Sequence, residues 1–139
     1  MANPEHLKIL KQGLNEWNQW RSDNPNVQAN LVKADLRELD LTMMDFSGAD
    51  LRETDLRETR LIATNLNRAQ LREADLEGAN LSGADLSEAD LSKAKLKFAA
   101  FPGTLLVGAN LSKADLGGAV FNAADLEWGG PVSVDRCVA

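Results

Sequence analysis

The chain has one cysteine, Cys137, and one histidine, His6. That shortage excludes a disulfide framework and any metal site built from several thiols or imidazoles of one chain, and it fits a reducing compartment. No stretch approaches the roughly 18 apolar residues of a membrane span, and the N-terminus has no apolar run of signal-peptide length. The expectation is therefore a cytoplasmic protein with no membrane contact. Positive charge is also short: 15 Lys and Arg stand against 21 Asp and Glu, for a net charge of -6. Direct binding to a nucleic acid backbone is disfavoured, since such binding rests on Lys and Arg neutralising phosphates.

What remains is ordinary for a folded protein, with 44% hydrophobic and 26% charged residues in 139, enough for one domain. The order of those residues is less ordinary. From Leu31 to Leu126 every fifth residue is Leu or Phe, through Leu36, Leu41, Phe46 and Leu51 to Leu111, Leu116 and Phe121. Two residues before each stands a small one, Ala as in Ala34, Ala49 and Ala84 or Thr as in Thr54, Thr64 and Thr104, with Leu39 and Met44 as exceptions. Asp or Asn usually lies between, as at Asp50, Asp75, Asn80 and Asn110.

A helix excludes itself. At about 100° per residue, a five-residue step rotates by about 140° and scatters the leucines around the cylinder. In extended backbone, residues two apart share a face, so Ala and the following Leu point inward together and the Asp between them points out. The next Leu is an odd number of residues away, so a corner must reset the direction in each repeat. Short strands joined by bends then wind around a common axis. Arg37-Glu38 recurs as Arg57-Glu58, and Ser92-Lys93-Ala94 as Ser112-Lys113-Ala114, an echo of twenty residues that suggests four repeats per turn.

Units such as Ala74-Asp75-Leu76-Glu77-Gly78 and Ala84-Asp85-Leu86-Ser87-Glu88 resemble the pentapeptide-repeat family over about residues 29 to 128. The resemblance implies a mainly β fold, a right-handed quadrilateral β-helix of about five coils, some 24 Å long at strand spacing. The organisation expected is an N-terminal helical cap over 1–28, the β-helix over 29–128 and a C-terminal tail over 129–139.

An open coil end exposes unpaired strand edges and invites aggregation. At the N-terminal end, Asn3 followed by Pro4 starts a helix, Leu7, Leu10, Leu14 and Trp17 recur at helical spacing, Gly13 interrupts it and Asn24-Pro25 ends it. The stretch Leu10-Lys11-Gln12-Gly13 and Trp17-Asn18-Gln19-Trp20-Arg21 resembles the N-terminal segment of cyanobacterial pentapeptide-repeat proteins. Its tryptophans either plug the core or form a partner-docking helix. At the other end Trp128, Val132 and Val134, around Gly129-Gly130-Pro131, can fold back as a plug; otherwise that end pairs with a second chain, giving a dimer rather than a monomer.

Chemistry-bearing patterns are few. Outward carboxylates, stacked in pairs such as Asp55 and Asp75, read as a solvated column on a convex rod rather than a catalytic pair in a water-excluded cleft. Arg37, Arg52, Arg57 and Arg72 beside Glu38, Glu53, Glu58 and Glu73 read as a ladder of surface ion pairs. His6 reads as a solvent-facing helix residue. Gly117-Gly118 lacks the Lys and Ser/Thr of a phosphate loop and reads as a corner. No catalytic, metal or cofactor residues are assigned.

One region breaks the polar rule. Phe98, Ala100, Pro102, Leu105, Val107 and Val120 occupy positions that are charged or hydroxylic in most repeats, and four-sided winding brings them onto two adjoining faces near the last two coils. Either the C-terminal tail packs there or a protein partner does. The function expected is a non-enzymatic interaction scaffold with a protein partner. The alternative, suggested by some members of the resembled family and by the acidic charge, is a DNA mimic that binds a type II topoisomerase such as gyrase. An enzyme is the third and weakest reading.

Overall fold

The computed structural model describes residues 1–121. Its body is a parallel coil in which every ladder contact joins a residue to the one twenty positions on: Asn30 to Asp50, Asp35 to Asp55, Asp40 to Arg60, Asp45 to Asn65, and so on to Ala100 with Val120. Four pentapeptides therefore complete one turn. The first face carries Asn30, Asp50, Gln70, Asp90 and Asn110; the second Asp35, Asp55, Asp75, Lys95 and Asp115; the third Asp40, Arg60, Asn80, Ala100 and Val120; the fourth Asp45, Asn65, Asp85 and Leu105.

Each side contributes one ladder residue rather than the short strand expected, because the turn consumes the rest of the repeat. Residues 55–59 show the accounting. Asp55 N–H donates to Ala34 O at 2.9 Å, Leu56 N–H to Asp75 O at 2.7 Å and Glu58 N–H to Glu77 O at 3.0 Å, while Thr59 N–H closes the turn on Leu56 O at 3.3 Å. The fifth donor, Arg57 N–H, meets the side chain of Asp55 at 3.3 Å. No backbone N–H in the repeat is left over, as buried or half-buried backbone requires.

The corner has a conformational cost. Every fifth residue from Lys33 to Gly118 has φ between 53° and 73°, and twelve of these left-handed residues are not glycine. Each strains an L side chain by about 1–2 kcal/mol, which the coil-to-coil bonds on either side must offset.

Inside, the Leu and Ala columns are sealed: Leu36, Leu76, Leu96, Ala74 and Ala84 are all fully buried. Threonines in the Ala column bury their hydroxyls without leaving them unpaired, Thr54 Oγ1 donating to Leu51 O at 2.6 Å and Thr104 Oγ1 to Leu81 O at 2.6 Å. Phe101 stacks on Phe121 with ring centroids 4.8 Å apart.

The N-terminal end is closed by two helices, α1 (Pro4–Lys11) and α2 (Leu14–Asp23). Asn3 caps α1 by accepting from the N–H groups of Glu5 and His6, and Gly13, at φ 111°, turns the chain into α2. Trp17 is the plug: it is fully buried, its ring centroid lies 5.4 Å from that of Phe46, and its indole Nε1 donates to Asp45 O at 2.8 Å. Asn18 accepts from Asp45 N–H at 2.8 Å and donates to Met43 O at 3.0 Å. Arg21 spans Val27 O and Ser47 O.

His6 corrects the sequence reading. It is 9% exposed rather than solvent-facing, packs 4.6 Å from Trp20, and its Nδ1 accepts the backbone N–H of Asn30 at 3.0 Å. In the rest of the stack that N–H position donates to a carbonyl of the coil above. The first coil has no coil above it, and the imidazole nitrogen takes the carbonyl's place. Burial, and the charge of Arg21 nearby, push its pKa below the usual 6.5.

Candidate interaction surface

The register decides which side chains meet on the outside. Ala100 and Val120 are ladder neighbours on the third face, and Leu105 is a ladder residue of the fourth. Phe98 stands at the corner entering the third face, Pro102 at the corner between third and fourth, and Val107 at the corner leaving the fourth. The six residues singled out by the sequence thus form one band around the last described coils. Phe98 is 67% exposed, Val120 45%, Leu105 43% and Val107 38%. Ala100 and Pro102 are half-buried between them. The C-terminal tail that was expected to compete for this band lies outside the described residues, as do Trp128 and Cys137.

Ala100 and Pro102 also share a backbone logic. Wherever Asp or Asn precedes the central Leu or Phe among the described residues, its side-chain oxygen accepts the N–H two residues on, as Asp85 does from Ser87 at 2.9 Å, Asp90 from Ser92 at 2.9 Å and Asn110 from Ser112 at 3.0 Å. Ala100 has no such oxygen. The residue it would serve is Pro102, which has no N–H to satisfy. At this corner an apolar residue therefore replaces the polar one without orphaning a donor.

The carboxylate column is accordingly more than a solvated surface: it caps the corners. The basic residues join it in a way the sequence reading missed. Arg37, Arg52 and Arg57 turn away from the glutamates beside them and pair with the aspartates two residues before, at 2.7 Å to Asp35, 2.7 Å to Asp50 and 2.6 Å to Asp55. Only Arg72 among the four pairs with its neighbouring glutamate, Glu73, at 3.3 Å. The preference is geometric, since the guanidinium meets both oxygens of a carboxylate already held against its own N–H. The hydrogen bonds from Arg37 hold Asp35 down at about 2, and those from Arg52 and Arg57 lower Asp50 and Asp55. Such shifts mark carboxylates locked in the ionised form, the opposite of a poised acid or base. Among the described residues no group of His, Cys, Asp and Glu has the arrangement of a metal site, and no helix is long and apolar enough to cross a membrane.

The sequence model of pentapeptide repeats matches residues 29–68, 69–106 and 105–127. The chain belongs to the pentapeptide-repeat family. Solved structures of pentapeptide-repeat proteins are similar to it. One is from the thylakoid lumen of Arabidopsis thaliana, at 38% identity and a TM-score of 0.62, covering 63% of this chain and 61% of that one. A second is from the cyanobacterium Cyanothece 51142, at 35% identity and a TM-score of 0.63, covering 68% and 63%. A third is from Nostoc Pcc 7120, at 47% identity and a TM-score of 0.53, covering 54% and 62%. The chain thus spans somewhat under two thirds of the length of each. No curated protein matches it. Members of this family are in general structural repeat proteins without enzymatic activity, and their coils are right-handed β-helices.

Proposed function

We propose that this pentapeptide-repeat chain is a non-enzymatic scaffold, a right-handed four-sided rod that acts in the cytoplasm by presenting the band of Phe98, Ala100, Pro102, Leu105, Val107 and Val120 to a protein partner. The observation that carries this reading is the joint exposure of Phe98, Leu105, Val107 and Val120 on a rod whose remaining outward positions are mostly charged or hydroxylic. Contiguous exposed apolar surface is the usual mark of a contact. A rigid rod suits the role, because a partner that docks on it orders little of the scaffold on binding.

The test is an affinity pull-down from the source cell with the parent chain and with a variant carrying Leu105→Glu and Val107→Glu. Loss of a specific companion from the variant supports the band as the working surface, and identical recoveries remove it from that role.

A DNA mimic would need an uninterrupted acidic strip. The second face instead interleaves its acids with cations, Arg37 lying against Asp35 and Asp55, Arg57 against Asp55 and Asp75, and Lys95 against Asp75. This argues for the scaffold over the gyrase-binding alternative. A supercoiling assay with purified gyrase decides between them: inhibition or protection by this protein would favour the mimic.

A further inference from the structure

The helical lid seals the core but pairs only half of the first coil's rim. In every later coil the ladder residue turns both its backbone groups to the coil above. Asp55 N–H donates to Ala34 O at 2.9 Å and Asp55 O accepts from Leu36 N–H at 2.8 Å; Arg60 does the same with Leu39 O at 3.0 Å and Leu41 N–H at 2.8 Å. The first coil has four such residues and no coil above, and the lid stands in at two of them. Asn30 N–H meets His6 Nδ1 at 3.0 Å, and Asn30 O accepts from Asn3 N–H at 3.0 Å. Asp45 N–H meets Asn18 Oδ1 at 2.8 Å, and Asp45 O accepts from Trp17 Nε1 at 2.8 Å. At the other two, Asp35 and Asp40, neither N–H nor C=O has a partner among the described residues, and the same holds for the Arg37 carbonyl at the corner between them. Half a turn of rim, along the second and third faces, is therefore unpaired. The side chain of Asp35 shows that it is open: it is 60% exposed, against 28% for Asp55 and 24% for Asp75 in the coils below.

The rim also has an unfilled place for charge. Down the second face, each aspartate receives a cation from the coil above: Asp55 from Arg37 at 3.6 Å, Asp75 from Arg57 at 3.8 Å and Asp115 from Lys97 at 3.6 Å. Asp35 has no coil above to supply one. Beside it Glu38 and Asp40, both exposed, have no cation within ion-pair distance among the described residues, Lys8 and Lys11 of α1 and Arg60 of the coil below included. The cations of the rim itself are engaged, Lys33 with Glu53 and Arg37 with Asp35 and Asp55.

We infer that this half-rim is a docking edge for an extended, basic segment of a partner protein, which adds to the stack as half a coil more. Its backbone pairs with Asp35, Arg37 and Asp40. An Arg or Lys two residues past the one opposite Asp35 takes the place above Asp35 that Arg37 takes above Asp55. The inference goes beyond the apolar band, which lies at the other end of the rod, and does not depend on it. An open edge with both donors and acceptors pairs with extended polypeptide through main-chain hydrogen bonds, which supply affinity. The carboxylates of Asp35, Glu38 and Asp40 supply the sign, attracting a basic segment and repelling an acidic one. Two copies docked rim to rim would set these carboxylates near one another, which argues against self-association.

The test selects peptides from a random displayed library on the full chain, then measures their binding to the parent and to two variants. Asp35→Asn/Asp40→Asn keeps the oxygens that cap the corners and removes the charge. Asp40→Pro removes a rim N–H that has no partner among the described residues and blocks pairing there. Circular dichroism first establishes that the variants are folded. The expected result is enrichment of peptides rich in Arg or Lys. Their binding should weaken about tenfold or more in each variant, and weaken again between about 0.05 M and about 0.5 M salt. In the parent, bound peptide should slow hydrogen exchange at the N–H groups of Asp35 and Asp40 and leave those of Asn30 and Asp45 unchanged. If Asp40→Pro does not fold, this exchange pattern decides alone, and no slowing at Asp35 and Asp40 overturns the inference. Loss of binding in Asp40→Pro but not in the asparagine pair overturns the basic partner. Enrichment of acidic peptides overturns it too, as does retention of none, which would mean that the rim charges serve only to prevent pairing. Peptides released by Leu105→Glu/Val107→Glu instead belong to the apolar band; they overturn the inference and leave the scaffold reading standing. A parent dimer dissociated by Asp40→Pro makes the occupant a second copy and overturns it as well.

Discussion

Phe98 lies across Gly118: a β-carbon added to Gly118 would come within 2.6 Å of Phe98 Cδ1. The two residues occupy the same corner of successive coils, and the missing side chain below seats the exposed ring above. Gly118→Ala also places an L side chain at φ 70°. We expect it to lower stability by about 1–2 kcal/mol and to displace Phe98, read as a lower melting temperature and a changed Phe98 ring resonance by NMR. An unchanged resonance would separate ring and glycine.

Elsewhere the same corner conformation is under strain that glycine relieves. At Ala63, φ 53°, nothing requires a methyl group, and the corners that follow in its column, Gly83 and Gly103, already carry glycine. Ala63→Gly should raise stability by about 0.5–1 kcal/mol. Ala84→Gly, inside the core, should lower it. A loss of stability in both variants by denaturant titration would contradict the corner assignment.

The aspartate column has a backbone task, so its charge is dispensable and its oxygen is not. Asp85→Asn should leave stability nearly unchanged. Asp85→Ala removes the acceptor for Ser87 N–H and should cost about 0.5–1.5 kcal/mol. If both substitutions cost the same, charge rather than capping is what the column supplies.

Inward and outward positions should differ sharply in tolerance. Leu76→Lys forces a charge into the sealed mid-stack interior and is expected to abolish folding, since burying an unpaired charge costs more than a domain's whole margin of stability. Arg72→Ala removes only an exposed pair with Glu73 and should change stability by under about 1 kcal/mol. Circular dichroism of both variants checks the contrast.

Acidification should loosen the N-terminal cap first. His6 has a folded-state pKa below its ordinary 6.5, so on falling pH the unfolded chain takes up the proton before the folded one does. Stability therefore declines as pH drops through 6.5 toward the lowered value, and levels off below it. A second loss follows at lower pH: Asp35, Asp50 and Asp55 titrate below 3.8 when folded, so what they contribute is present above that value and fades beneath it. Melting temperatures between about pH 7.5 and about pH 5 should fall for the parent and stay flat for His6→Gln.

The coil was legible because burial repeats. Twenty aliphatic or aromatic positions in step, with small residues two before all but two of them, admit one inward direction, and the twenty-residue echo of Arg37-Glu38 in Arg57-Glu58 counted the sides. Single events were not legible. The place of His6 depends on a bond to Asn30 that no repeat contains, and the choice of Asp35 over Glu38 by Arg37 depends on which carboxylate the corner already holds. One clue to the capping role did lie in the chain: the absent oxygen at Ala100 coincides with the absent donor at Pro102. The band of Phe98, Leu105 and Val107 could be found only because its neighbours set a polar rule for it to break.

The ladder joins each residue only to those twenty positions away, and this makes length a discrete quantity for the molecule. Insertions or losses of whole turns leave every column aligned and alter only the distance between the helical lid and the apolar band. Any other change rotates one part of the rod against the other by one to three quarter turns or breaks the inward alternation outright. Spacing and orientation between the two ends can therefore be set independently, in steps of a full turn and of a single side.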